Sequence, residues 1–386
     1  MEAIELLTLI NGGETSKIQF KEDVNNGVSI SQEMVAFANT LGGMLIIGVK
    51  DKTGEIAGLD YETLQRINNL LATSASDLVK PSVQLLTESV LIGEKYVLVV
   101  TVPEGVYKPY RDKDGAVWIK KGSDKRKVTS NEEEARLLQS GALLYADEMG
   151  VRDSSLNDLN MDILADYFQK QFGKPATEFG VDVVQLYRNM HLLSDDNLTL
   201  AGALLFSKNP QMFRPVFVIK AVYFVGNAIY GTEYRDSQDI SGTISEMFEQ
   251  SLAFVARNIN YTQQGQNFNS IGLPEIPSVV FEELIQNALI HRDYLKSAPI
   301  RLLLFDDRIE IISPGKLPNS LSVEGIKMGN AVARNPLLAS FASKMLPYRG
   351  LGSGIIRSLQ AYPDIDFVND IDGEQFKAII KRSVKK

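Results

Sequence analysis

The stretch EELIQNALIHRD, Glu282 to Asp293, decides how this chain is read. With Phe281 ahead of it, its apolar residues recur at helical spacing: Phe281, Leu284 and Ala288, flanked by Ile285 and Leu289. Glu283, Asn287 and His291 fall at i, i+4 and i+8 and share one face of that helix. A carboxylate can activate water, and a carboxamide one turn away can ligate Mg²⁺, which takes oxygen ligands. The same spacing also describes an amphipathic helix with a solvated polar stripe.

After this helix come two short apolar runs, IRLLLFD and RIEIIS, which read as strands and end in a Pro314-Gly315 turn. A helix around Leu337–Met345 follows, then GLGSG, Gly350 to Gly354, opening the helix IIRSLQAY. Glycines let a backbone approach a phosphate, and a helix N-terminus offers unpaired N–H groups. No Gly-Lys-Ser/Thr follows, so this is not a Walker A loop, and no helicase motor is expected. FVNDIDGEQFKAIIKR reads as a closing hairpin. Upstream, SGTISEMFEQSLAFVARNI is an amphipathic helix whose apolar face would serve a core or a dimer contact.

Residues 1–140 read as mixed α/β. A short helix and a Gly12-Gly13 break lead to a strand at Lys17–Lys21. SISQEMVAFANTLGG is a helix with Ser29 or Ser31 as N-cap. MLIIGVKD, Met44 to Asp51, is a continuous apolar run of strand length bounded by Gly and Asp and predicts a buried strand. Ser130 with Glu133 three residues later is a capping-box pattern that begins a helix. The polar stretch over 141–160 reads as a linker. The expected organisation is α+β with three parts: 1–140, a middle α/β segment over 150–270, and 271–386.

The chain has 386 residues, 44% of them apolar, and a formal charge of −8. It has no cysteine, and His191 and His291 are its two histidines. Thiolate chemistry and histidine-rich metal sites are excluded, and no haem, flavin, zinc or iron–sulfur group is expected. There is no basic leader followed by an apolar run and no apolar stretch of about 18 residues, so a cytoplasmic chain with no membrane partner is expected. The negative total hides a local excess of the other sign. From Lys108 to Lys127 there are eight basic and three acidic residues, a charge of +5, interleaved with Tyr107, Tyr110 and Trp118. Cations bind phosphates and aromatic rings stack on unpaired bases. Lys120, Lys121, Lys125, Arg126 and Lys127 are the expected nucleic-acid contacts, with Lys17 and Lys21 as additions. A solvated hairpin protecting a sheet edge is the plainer reading.

Taken in order, ExxxN on a helix, two strands with a glycine turn, and GxGxG before a helix resemble the GHKL ATPases of the gyrase, chaperone, histidine kinase and MutL types. NALIHRDY, DRIEIISPGKLP, RNPLL and GLGSGI are similar to a divergent GHKL-like domain of bacterial proteins called RecG-related or transcriptional regulators, over about Pro274–Tyr362. The resemblance implies a two-layer α/β sandwich that binds ATP and Mg²⁺. In it Glu283 would be the general base and Asn287 the Mg²⁺ ligand, with Gly315, Gly350, Gly352 and Gly354 shaping the nucleotide pocket. Ser313 stands where the family has an adenine-binding Asp, and its neutral, shorter side chain weighs against adenine recognition and hydrolysis.

GGETSKIQFKED, MVAFANTLGGMLIIGVKD and VWIKKGSDKRKVTSNEE resemble the Schlafen AlbA-like domain over about Gly12–Leu138, and AGALLFSKNPQMFRP is similar to the middle segment of the same proteins. That resemblance implies DNA (or RNA) as partner, a homo-oligomer, and a DNA-binding transcriptional regulator. Some such domains are RNA nucleases with three carboxylates. The matching positions here are Glu14, Gln19 and Asp51. Gln19 lacks the charge that metal-assisted cleavage needs, which leaves Glu14 and Asp51 for at most a weakly held cation. The alternatives from another class are an Mg²⁺-dependent ATPase and a nucleic-acid-processing enzyme.

Overall fold

The computed structural model describes the chain except residues 52, 142, 231–232, 263–271, 319–320, 349, 351 and 383–386. Two compact units form, Met1–Leu144 and Tyr145–Lys386.

The first unit runs α1 (Ala3–Asn11), β1 (Ile18–Lys21), α2 (Gly27–Asn39), β2 (Gly43–Ile47) and α3 (Tyr61–Asp77), then β3 (Leu86–Ile92) and β4 (Lys95–Val102), β5 (Trp118–Lys121) and β6 (Asp124–Lys127), and α4 (Asn131–Ser140). Its four-stranded sheet has the order β1-β2-β4-β3. β1 and β2 are parallel, with Phe20 opposite Ile46, and α2 supplies the crossover that a parallel pair requires. Alternate residues of β2 serve two cores. Leu45 and Ile47 join residues of α2 and α3, whereas Ile46 joins Leu6 and Ile10 of α1. Burial on both faces is why GMLII is uniformly apolar. α2 starts earlier than expected. Asn26, not Ser29 or Ser31, is its N-cap, and its side chain accepts from the amides of Val28 and Ser29. Ser130 caps α4 by accepting from the Glu133 amide, but the expected capping box is not completed, because the Glu133 carboxylate pairs with Arg126.

The second unit contains α5 (Met161–Phe172), α6 (Leu200–Phe206), β7 (Ile219–Phe224), β8 (Tyr234–Ile240), α7 (Ile244–Asn258), α8 (Ser278–His291), β9 (Ile300–Leu304), β10 (Arg308–Pro314), α9 (Pro336–Met345), α10 (Ser353–Ala361), β11 (Ile365–Asp370) and β12 (Gln375–Lys381), with shorter elements between them. Its six-stranded sheet has the order β8-β7-β9-β10-β12-β11. Ile219, Ala221, Ile300, Leu302, Ile309, Ile311 and Ile380 share one core with the helices, while Leu303, Phe305 and Ile312 on the opposite face pack with strand residues Val222 and Phe224. This is a two-layer α/β sandwich, and the chain as a whole is α+β.

The expected division between a middle segment (150–270) and a C-terminal domain (271–386) is not present. β7 pairs in parallel with β9, Ile219 opposite Ile300, and one core extends from Ala146 to Ile380. The apolar face of α7 (Ile244, Met247, Phe248, Phe254 and Val255) lies inside that core. Among the described residues no helix is long and apolar enough to cross a membrane.

Asp147 is fully buried, and its Oδ2 accepts from the Leu338 amide at 2.9 Å in the first turn of α9. Its Oδ1 has no hydrogen-bond partner among the described residues. Burial raises its pKa to about 6, against the pull of the Leu338 hydrogen bond. A carboxyl whose folded pKa lies above the unfolded value stabilises the fold on protonation, and that contribution is lost as pH rises through the folded pKa. Acidification from pH 7 to 4 therefore favours the wild type through this group. Asp147→Asn, which cannot titrate, should lose that contribution, about 2–3 kcal/mol, relative to the wild type over the interval. Denaturant unfolding at several pH values measures it, and parallel pH profiles for the two proteins would refute the assignment.

Candidate functional site

In the second unit Glu283, Asn287 and His291, on one polar face of α8, line a single hollow. The end of β10 (Ser313, Gly315) forms a second wall, the segment over 330–334 a third, and Gly352, Ser353 and Gly354 at the start of α10 close it. Every member of the C-terminal set read from the sequence therefore lies around one space, Gly350 included.

Close approach explains the glycines. At Gly354 a Cβ would meet Oε2 of Glu283, so the carboxylate could not keep its present place. Gly352 sits at φ +69° and is the N-cap of α10, with no side-chain cap. A Cβ on it would run into the carbonyl of Gly329. Gly315, at φ +101°, makes room for the Arg334 guanidinium and Asp293.

The Glu283 carboxylate is buried and engaged. Oε1 pairs with Nη2 of Arg357 at 2.5 Å, and Oε2 accepts from Nε2 of Gln286 at 2.9 Å. The residue expected to act as general base is thus held by a cation. Asn287 differs: its carboxamide makes no hydrogen bond to another described residue and faces the hollow. The Ser313 hydroxyl is tied to the fold, its Oγ donating to the Ala288 carbonyl at 3.2 Å. Having given up its one hydrogen, it can only accept from a ligand.

His291 is enclosed, with Nε2 3.0 Å from the Tyr348 hydroxyl. Burial first, and then the Arg334 charge, lower its pKa to about 4, so it is neutral at physiological pH. The residues after it anchor the helix end. Arg292 donates to the carbonyls of Lys296 and Ala298 and lies over the rings of Phe217 and Tyr294. Asn335 donates to the carbonyls of Ile290 (2.8 Å) and Arg292 (2.9 Å), and Arg334 to that of His291 (3.3 Å). Three consecutive carbonyls left open where α8 ends are thereby satisfied by Arg334-Asn335.

In the first unit the expected nucleic-acid contacts separate into two groups. Lys120 is a correction. Its side chain is 1% exposed, and its Nζ donates to Gln19 Oε1 at 2.7 Å, approaches Glu33 at 3.5 Å and lies over the Phe37 ring. Burial lowers its pKa, against the pull of Glu33. Lys125 pairs with Glu33 at 3.1 Å, and Arg126 forms a bidentate pair with Glu133. Lys108, Arg111 and Lys113 pair with Glu104, Glu134 and Asp114. Lys121 and Lys127 are exposed, with no ion pair to another described residue. Among the aromatics, Tyr110 is buried and the Trp118 indole donates to Asp112 at 2.7 Å, whereas Tyr107 is exposed. Of the additions, Lys21 pairs with Asp51 at 2.5 Å.

Glu14 and Asp51 border one small hollow. Glu14 Oε1 accepts from Gln19 and from the Phe20 amide, and Asp51 is held by Lys21. Among the described residues no group of three or more His, Asp or Glu is placed to hold a metal ion.

Sequence reasoning missed Arg357, Tyr348 and Glu33, and quoted RNPLL without giving Arg334 and Asn335 a role. Arg357 was within reach: three residues after Gly354, it lies on the face of α10 that Gly354 presses against Glu283. Nothing local marks Glu33 as the partner of residues some ninety positions away.

Residues 14–129 match the family described as "Schlafen, AlbA_2", and residues 297–377 the one described as "Putative ATP-dependent DNA helicase recG C-terminal". The chain thus carries an N-terminal Schlafen AlbA_2 domain and a C-terminal RecG-type ATPase-like domain. It is 33% identical over 85 residues to the uncharacterized ATP-binding protein UU034 of Ureaplasma parvum serovar 3, a match spanning 21% of this chain and 24% of that protein. The crystal structure of the DIP2311 protein from Corynebacterium diphtheriae aligns with 95% of this chain and 75% of its own at 22% identity, TM-score 0.47. The solution structure of the N-terminal domain of a RecG-related protein from Nitrosomonas europaea aligns with 34% of this chain and 96% of its own at 29% identity, TM-score 0.25.

Gly352→Ala should destabilise the second unit by about 1–3 kcal/mol, since it adds a left-handed penalty to a backbone collision. Denaturant unfolding reports it, and a change within about 0.5 kcal/mol would show that the glycine contact carries no weight.

Proposed function

We propose that the second unit binds ATP with Mg²⁺ and that the whole chain is a nucleotide-responsive, DNA-binding regulator. The observation that carries the nucleotide reading is the free Asn287 carboxamide facing the uncapped, glycine-led start of α10 across one hollow. The residues fit such a ligand. The open amides at the first turn of α10 suit phosphate oxygens, the Asn287 amide oxygen suits Mg²⁺, and the Ser313 oxygen suits an exocyclic amine. The similar Ureaplasma protein is described as ATP-binding. Mg²⁺ would supply charge neutralisation at the phosphates; the chain's own residues position the nucleotide and exclude water.

A thermal-shift titration tests this. ATP with Mg²⁺ should raise the melting temperature of the wild type, and Asn287→Ala should abolish the rise. No shift at millimolar nucleotide would refute nucleotide binding.

The DNA reading rests on Lys121 and Lys127, the two cations of the β5–β6 hairpin with no ion pair to another described residue. Two phosphate contacts correspond to a slope of about −1.8 in log K against log salt. The double variant Lys121→Glu, Lys127→Glu should remove about that much slope in fluorescence anisotropy on duplex DNA, while Lys125→Ala should leave it nearly unchanged. An unaltered slope in the double variant would move the contact elsewhere.

A further inference from the structure

We infer that Arg357 is a clamp on Glu283: it holds the carboxylate in an ion pair, so that a bound nucleoside triphosphate is kept rather than rapidly hydrolysed. This rests on the nucleotide reading of the same hollow. The observations are geometric. Arg357 lies in the first half of α10, one turn beyond Gly354, and its Nη2 meets Glu283 Oε1 at 2.5 Å. The glycine leaves the carboxylate in its present place, since a Cβ at 354 would meet its Oε2. Gln286 occupies the second oxygen at 2.9 Å. The pair is well shielded, with the Glu283 side chain 5% exposed and that of Arg357 29% exposed. Arg357 Nε is buried without a hydrogen-bond partner, so the guanidinium is placed for the carboxylate at the expense of one of its own donors.

Hydrolysis requires water oxygen to bond to the terminal phosphorus while the bond from that phosphorus to the bridging oxygen breaks. The nucleoside diphosphate leaves, inorganic phosphate is the other product, and the proton released from water passes to a base. A general base needs a free lone pair within reach of that water. Here the Arg357 guanidinium holds one Glu283 oxygen and the Gln286 amide bonds to the other, so these two donors, not the water, set the orientation of the carboxylate and of its remaining lone pairs. Arg357 is accordingly a positioning residue that acts through Glu283.

The experiment compares the wild type, Arg357→Gln, Arg357→Lys, Glu283→Gln and the double variant Glu283→Gln, Arg357→Gln, each as the full chain. Phosphate release is measured from ATP with Mg²⁺, and melting temperature with and without nucleotide. Arg357→Gln should raise turnover at least tenfold and keep the ATP-induced shift. Arg357→Lys should stay slow, and the double variant should lose the gain. Without nucleotide, the melting losses of the two single Gln variants should be non-additive, the double variant losing less than their sum. If Arg357→Gln fails to fold, Arg357→Met, which keeps much of the side-chain volume, takes its place. Retained ATP shift with turnover at or below wild type, or additive melting losses, would overturn the clamp alone. No ATP shift in any of the proteins would overturn the nucleotide reading and the clamp together.

Discussion

The second unit depends on how the buried end of α8 is satisfied. A helix that ends inside a protein leaves carbonyl oxygens without intrahelical partners, and their burial without donors is costly. Here the carbonyls of Ile290, His291 and Arg292 receive donors from Asn335 and Arg334, two neighbours some forty residues later. That bond set fixes α9 against α8. It also carries Arg334 along the wall to the Lys316 carbonyl and brings the region of Gly315 and Ser313 to the polar face of α8. The hollow follows from this arrangement.

Within the hollow, electrostatics separates two residues that one helical face presents together. Glu283 and Asn287 are one turn apart, yet one is locked by Arg357 and the other is open. His291, one turn further on, is kept neutral by burial and by Arg334. Three polar residues in one stripe thus have three separate roles: a clamped carboxylate, an available amide, and an uncharged ring on a tyrosine hydroxyl.

The first unit shows why charge counted along a sequence window misleads. The segment over 108–127 holds a local +5, but Glu33, Glu104, Glu133 and Glu134 lie outside it and pair with five of its cations. Lys120 goes furthest, into the interior beside Gln19. The glutamine that appears in the sequence only as a missing carboxylate is, in the fold, the bridge between Glu14 and a buried lysine. A neutral amide suits that place because it donates to one neighbour and accepts from the other.

What the sequence determined by itself was local. The uniformly apolar β2, the helical stripe of α8, the glycine-led start of α10 and the closing hairpin β11–β12 follow from spacing, turn residues and burial on one or two faces. The glycine positions of the pocket were legible for the same reason, since a missing side chain is a local fact. The tertiary structure decided what depends on partners far along the chain. It placed β7 beside β9, so that two expected segments became one unit, and it matched Arg357 with Glu283 and Glu33 with Lys120. A counter-charge or a neighbouring strand can come from any distance in sequence. Only packing selects which one arrives, because a buried ion or an open sheet edge must be satisfied by whatever the fold brings next to it.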